Sequence, residues 1–295
     1  MVDPGARHGP FPGRLAAKRI AAYAAATGDE TPAVLAGEAV PAVFPAILAF
    51  DAQGAARADV PAAAWRQASG AVHGEHDIVL HRGLIPDEPL DTWSRICAVR
   101  TTRAGTQVVL HIEQFDGHGT MAVEQWWTTL LIGLHAASSA AAAMRRLTNC
   151  SSGMASSVTA NVGSMPDDHR LPDSARDKFI GSATQHVGVD VAHRYAEVSG
   201  DCSAHHFDID AARATGFDFL FTHGLCTMAI CAHRLLGLAG VGDPGQVRRV
   251  AVRFASPTPL GADLTVNAYG INERSLAFEA SCNGATVITH GRLEL

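Results

Sequence analysis

The sequence predicts an α+β protein built as a tandem repeat, two copies of one unit, each an antiparallel sheet around a central helix. Three observations carry this reading. The 295 residues, 47% of them apolar, are enough for about two domains with buried cores. Tyr23-Ala24-Ala25-Ala26-Thr27-Gly28-Asp29 returns as Tyr195-Ala196-Glu197-Val198-Ser199-Gly200-Asp201, an offset of 201 − 29 = 172 residues. Finally, each half ends in four runs with strand character, separated by turn residues in matching order.

Residues 1–13 read as an N-terminal tail, 14–135 as the first unit, 136–178 as a linker and 179–295 as the second unit. In the first unit the repeated motif ends a short helix-forming stretch. Pro41–Phe50 then reads as a short central helix, broken by Pro41 and Pro45 because proline lacks the N–H a helix interior needs. Asp77–Arg82, Trp93–Thr101, Thr106–Phe115 and Met121–Ile132 follow as strands, with Ala104-Gly105 and Asp116-Gly117 at turns. Residues 136–178 begin with alanine and serine, pass Ser151-Ser152-Gly153 and Asp167-Asp168, and reach Pro172-Asp173, which is connector composition. In the second unit Thr222–Leu238 is apolar nearly all round, so its helix should be buried. Gln246–Ser256, Asp263–Ile271, Arg274–Cys282 and Ala285–Leu295 close the chain as strands. Asn283-Gly284 between the last two is the clearest hairpin signal.

Composition narrows the function classes. With 18% charged residues the chain is not of disordered type. A net charge of −6 argues against nucleic acid as a partner. Lysine occurs only at Lys18 and Lys178, so nearly every cation is an arginine, whose planar fork suits phosphate and carboxylate. The N-terminus has no apolar signal-peptide core. Leu225–Gly240 is interrupted by His233 and Arg234, short of the roughly 18 apolar residues of a membrane span, so no membrane partner is expected. Six cysteines without a Cys-x-x-Cys pair predict reduced thiols and a cytoplasmic location. Asn149-Cys150-Ser151 reads as a chance sequon.

The chemistry concentrates between Tyr195 and Leu235. Asp201 follows a glycine at a helix end and His206 comes five residues later. A carboxylate and an imidazole on one tight loop can hold a water between them, the minimum for adding or removing water by acid–base work. Thr222-His223-Gly224 opens the long helix, whose free N–H groups and dipole favour a polarised carbonyl oxygen.

Ser199-Gly200-Asp201-x-x-x-x-His206, with Ala212 and the His223-Gly224-Leu225-Cys226-Thr227 helix start, resembles the MaoC-like (R)-specific 2-enoyl-CoA hydratases, hydratase 2. Thr27-Gly28-Asp29, the Pro41–Pro45 stretch and Val72-His73-Gly74-Glu75-His76-Asp77 resemble that family's N-terminal unit. The resemblance implies a double hotdog fold, a long helix wrapped by a curved sheet, twice. It implies a catalytic second unit and a degenerate first unit that shapes the acyl pocket; position 34, five after Asp29, is Val34. It makes Asp201 and His206 the catalytic pair and Gly224 N–H the donor to the thioester carbonyl. Arg253, and less directly Arg248 and Arg249, would meet the CoA phosphates, with Ser203 and His223 beside the substrate. The family's asparagine, proline and aliphatic residue before the histidine are here Ser203, Ala204 and His205.

Plainer readings stand beside these. His223, His73 and His76 read as structural, and Trp126, Trp127 and Phe44 as core, with an acyl-pocket role open to the last three. Cys226 and Cys231 read as core residues. Cys202 lacks a base and adjoins a carboxylate that would raise its pKa. His205, His206, Asp208 and Asp210 cluster in sequence, but no His-x-x-x-His helix pair occurs, so no metal is expected. The resulting expectation is a hydro-lyase for trans-2-enoyl thioesters of CoA or acyl carrier protein, with no cofactor beyond the thioester substrate. A thioester hydrolase and a non-catalytic acyl-CoA-binding or assembly subunit are the alternatives. Two units in one chain make an internal pseudo-dimer, and pairing of whole chains into a homodimer stays open.

Overall fold

A computed structural model of the chain describes residues 6–135 and 169–295. Most of the segment read as a linker lies outside the described residues, as does the Asn149-Cys150-Ser151 sequon. In the first unit β1 (His8–Arg14) is followed by α1 (Ala17–Thr27), α2 (Pro32–Leu35), a 3₁₀ turn (Phe44–Leu48), α3 (Phe50–Arg57) and α4 (Ala62–Gln67). Strands β2 (Gly70–Leu80), β3 (Pro89–Thr101), β4 (Gly105–Asp116) and β5 (Met121–Ile132) complete it. The second unit runs β6 (Phe179–His186), α5 (Val191–Ser199), a 3₁₀ turn (Ala204–His206), α6 (Ile209–Ala214) and α7 (Gly224–Leu238). It ends with β7 (Arg249–Phe254), β8 (Asp263–Asn272), β9 (Ser275–Cys282) and β10 (Ala285–Glu294).

The ten strands form one antiparallel sheet in the order β1-β3-β4-β5-β2-β7-β10-β9-β8-β6. Renumbering β6–β10 as the second copy of β1–β5 gives the same order in each half, so the repeat read from seven residues extends through the topology. The halves meet where β2 pairs with β7, from Glu75 opposite Arg253 to Val79 opposite Arg249. Across that seam Arg249 grips Asp77 with Nε to Oδ1 at 3.0 Å and Nη2 to Oδ2 at 2.8 Å. Burial raises the Asp77 pKa even so, with Arg249 pulling the other way, as expected where desolvation rivals attraction.

The repeated motif is a helix ending. Gly28 closes α1 at φ 69° and Gly200 closes α5 at φ 85°, both left-handed positions that glycine adopts without a Cβ penalty. The two helices pack together, with the Tyr23 and Tyr195 rings 5.8 Å apart. Helix α7 is the core of the second unit, burying Leu225, Met228, Ile230, Cys231 and Leu235 among others, as its all-round apolar sequence predicts.

Two elements differ from the sequence reading. His8–Arg14, mostly within the predicted tail, is a strand. It pairs with β3 at the sheet edge, where its prolines forfeit no ladder bond on the open side. The first unit's central helix is also displaced along the chain. Phe44–Leu48 makes only a 3₁₀ turn, with Pro45 in its first turn, and the helix proper begins at Phe50 and ends at Arg57. Both prolines sit before the helix, where their missing N–H groups cost nothing. Helix α3 has 8 residues against 15 in α7.

Candidate active site

The left-handed Gly200 turns the chain out of α5 and presents Asp201 at the start of a tight loop. Ser199 Oγ accepts the Asp201 N–H at 3.1 Å. Asp201 Oδ1 accepts the Ser203 N–H at 3.1 Å and the Ser203 O–H at 2.5 Å. Both bonds fall on one oxygen, which leaves Oδ2 for other work. Burial pushes the Asp201 pKa up, but the Ser203 donors and the nearby His223 and His206 outweigh it, and the net shift is downward. Asp201 is therefore a carboxylate at neutral pH.

The 3₁₀ turn Ala204–His206 brings His206 back toward Asp201. His206 is 5% exposed, and its Nδ1 lies 3.0 Å from the carbonyl oxygen of Phe221. A carbonyl only accepts, so Nδ1 carries the proton. Burial, then the neighbouring His223 and His205, lower the His206 pKa to about 3. The ring is neutral at ordinary pH, and its Nε2 is a free base.

His223 caps α7 without bonding its first turn. Its Nε2 donates to the Asp201 carbonyl at 2.9 Å, and its buried Nδ1 has no partner among the described residues. The His206 and His223 rings touch in a tilted arrangement, with centroids 3.7 Å apart and planes at 35°. Asp201, His206 and His223 each offer a ligand atom, all within 4.8 Å of one another. The metal cluster weighed from sequence does not assemble. Asp208 is exposed and caps α6, and Asp210 pairs with Arg213 at 3.0 Å.

Gly224 is the first residue of α7, where N–H groups have no intrahelical acceptor. A Cβ there would stand 3.2 Å from Phe254 Cε1, so glycine keeps the helix start open against that ring.

The site opens on one cavity of about 350 Å³. Asp201, Ser203, His205, His206, His223 and Gly224 form one wall; Gln53, Arg57, His73, Trp127 and Thr129 of the first unit form another. His73 stacks on Trp127 with centroids 4.2 Å apart and planes 5° from parallel. Its Nε2 meets His76 Nδ1 at 3.1 Å, and His76 Nε2 meets Gln125 Oε1 at 3.0 Å. Burial holds both histidines neutral, His76 at about 4. His205 lines the cavity beside Phe221, with ring centroids 5.5 Å apart.

The structure does not bring Arg253 or Arg248 to this cavity. Arg253 Nε pairs with Glu75 Oε1 at 2.6 Å across the unit seam, and Arg248 Nη1 donates to the carbonyls of Gly245 and Val247. Conversely, the sequence reading missed Gln53 and Arg57. They stand one helical turn apart on α3, a spacing visible only once that helix is set after the prolines. In the first unit Asp29, the counterpart of Asp201, spends Oδ1 on the Thr31 N–H at 3.0 Å. The space beside it is about 20 Å³, room for about one water.

Comparison with known proteins agrees with this architecture. Over 99% of the chain the fold superposes on 95% of a MaoC-like dehydratase from Phytophthora capsici, with a TM-score of 0.74 at 19% identity. It also matches a double-hotdog protein from Mycobacterium tuberculosis, with a TM-score of 0.58 at 12% identity over 99% of this chain and 96% of that one. In sequence the chain is 26% identical over 231 residues to peroxisomal multifunctional enzyme type 2 of Drosophila melanogaster, and 23% identical over 240 residues to that of Mus musculus. Those matches take in 77% and 81% of this chain but only 34% and 29% of the relatives, so the chain spans about a third of their length. Among the described residues no helix is long and apolar enough to cross a membrane. The fold is a double hotdog, and residues 173–290, which carry Asp201, His206 and Gly224, match the family model of the MaoC-like domain.

Proposed function

We propose that the protein is a hydro-lyase that adds water to trans-2-enoyl thioesters, giving (R)-3-hydroxyacyl thioesters, or runs the reverse dehydration. The observation that carries this is the pairing of an ionised Asp201 with a free Oδ2 and a neutral His206 with a free Nε2 in one cavity. Two acceptors of this kind suit the two hydrogens of one water. As the water oxygen bonds to C3, one proton leaves it for the Asp201–His206 pair, and the pair delivers a proton to C2. Negative charge gathers meanwhile on the thioester oxygen, and the Gly224 N–H at the positive end of α7 is placed to hold it. A fixed donor of this kind contributes on the order of 3 kcal/mol.

The thioester of CoA or acyl carrier protein is the only organic partner the mechanism needs. The test is a panel of trans-2-enoyl-CoA thioesters followed by loss of enoyl absorbance. Turnover by the wild type, and its loss in Asp201→Asn, is expected. Free thiol release would make the protein a thioesterase, and tight binding without turnover would make it an acyl-thioester carrier.

A further inference from the structure

The Arg57 side chain has no ion pair and no hydrogen bond among the described residues, yet it lines the cavity. Its guanidinium lies over the Trp65 ring, 4.7 Å from the centroid, a contact that uses its face and none of its N–H donors. Burial lowers its pKa and the charge of Asp201 only partly restores it, so it sits partly desolvated without a carboxylate of its own. The contrast with other arginines of the chain is direct. Arg82 holds Glu88 and Asp116, Arg249 holds Asp77, and Arg253 holds Glu75. One turn earlier on α3, Gln53 is 7% exposed and lines the same cavity, with no hydrogen-bond partner for its side chain among the described residues. Both line the cavity from the first unit, and the Asp201 and His206 loop lines it from the second.

We propose that Arg57 and Gln53 bind a carboxylate at the far end of the acyl group, so that the preferred substrate is the mono-thioester of an unsaturated dicarboxylic acid. The inference rests on the cavity being an acyl-thioester site. A guanidinium fork matches a carboxylate with two parallel N–H bonds, and the Gln53 amide supplies a further donor. An ordinary fatty acyl chain would instead press methylenes against an unpaired, partly desolvated cation, which is costly. A reaction class that yields dicarboxylic acyl thioesters, such as terminal oxidation of an acyl chain followed by thioesterification, would supply this substrate.

The experiment measures dissociation constants for the CoA mono-thioesters of succinate, glutarate and adipate against butyryl-, valeryl- and hexanoyl-CoA. These saturated thioesters have no double bond to hydrate, so the readout survives failure of the hydration reading, which the enoyl panel tests separately. At one chain length the carboxylate form is expected to bind about tenfold or more tighter than its neutral partner. That ratio should collapse in Arg57→Gln and be partly kept in Arg57→Lys. The same ratio should persist with N-acetylcysteamine thioesters, which carry no phosphate. No preference for the carboxylate form at any length in the wild type overturns the proposal, whatever the variants do. So does an unchanged ratio in Arg57→Gln. A loss common to acids and neutral chains, and confined to the CoA thioesters, would assign Arg57 to a CoA phosphate and likewise overturn it.

Discussion

Replacing Ser203 with alanine removes one hydroxyl from the site and changes what Asp201 can do. The Ser203 O–H donates to Asp201 Oδ1 at 2.5 Å, and the Ser203 N–H, at 3.1 Å, remains in the variant. A hydrogen bond to a charged group contributes about 1.5–3 kcal/mol. Asp201 is partly open to the cavity and water can take the hydroxyl's place, so the lower end applies, equivalent to a rise of about one pKa unit. The sign follows from Asp201 lying below its unfolded value. An ionised carboxylate with a depressed pKa stabilises the fold above that unfolded value, and this contribution is lost as pH falls through the folded one. Ser203→Ala should therefore lift the Asp201 midpoint by about one unit and weaken the fold at neutral pH by about 1.5 kcal/mol. The assay is a carboxyl ¹³C NMR titration of wild type and variant, with Asp201 assigned through Asp201→Asn. In an active enzyme the acid limb of kcat/KM should move to higher pH with it. An Asp201 midpoint identical in both proteins would refute the reasoning that the Ser203 hydroxyl holds Asp201 in its charged form.

Two further outcomes concern stability. His76 is fully buried and neutral, with a pKa of about 4 against 6.5 unfolded, so the unfolded chain takes up the proton first and stability falls as pH drops from 6.5 toward 4. At pH 5 this one group costs about 2 kcal/mol, and urea midpoints at pH 7 and pH 5 should show a smaller drop in His76→Gln than in wild type. Asp77→Ala leaves the nearly buried Arg249 with Glu294 at 3.3 Å in place of its bidentate partner across the seam. Urea unfolding should show a loss of about 3 kcal/mol, and a loss below about 1 kcal/mol would mean the seam is held by its strands alone.

Much of the fold was legible because the repeat is written in backbone chemistry. A left-handed glycine after Tyr-Ala-x-x-[Ser/Thr] ends both α1 and α5, and alternating strands between Gly and Asn turns are a local signal. β1 was not legible, since Gly9, Pro10, Pro12 and Gly13 carry loop signals that only an edge position tolerates. The second-unit wall of the site was legible because Asp201, His206, His223 and Gly224 are close in sequence and share a loop and a helix start. The first-unit wall was legible only in outline, through the pocket-shaping role the resemblance implied and the acyl-pocket role left open to Trp127. Gln53, Arg57 and His73 reach the cavity from about 150 residues away, through a β2–β7 seam that no periodicity encodes. The assignment of Arg253 and Arg248 to CoA phosphates rested on a motif position, and motif positions do not reveal that Glu75 or local carbonyls already occupy these side chains.

Turnover of crotonyl-CoA in ¹⁸O-water, with mass and chiral analysis of the product, tests most directly whether Asp201 and His206 deliver water to C3 of an enoyl thioester. Delivery by this pair puts ¹⁸O on the C3 hydroxyl of an intact (R)-3-hydroxybutyryl thioester, with no such product from His206→Ala. Label appearing in a free carboxylic acid, or in a hydroxyl that forms equally well without His206, would contradict it.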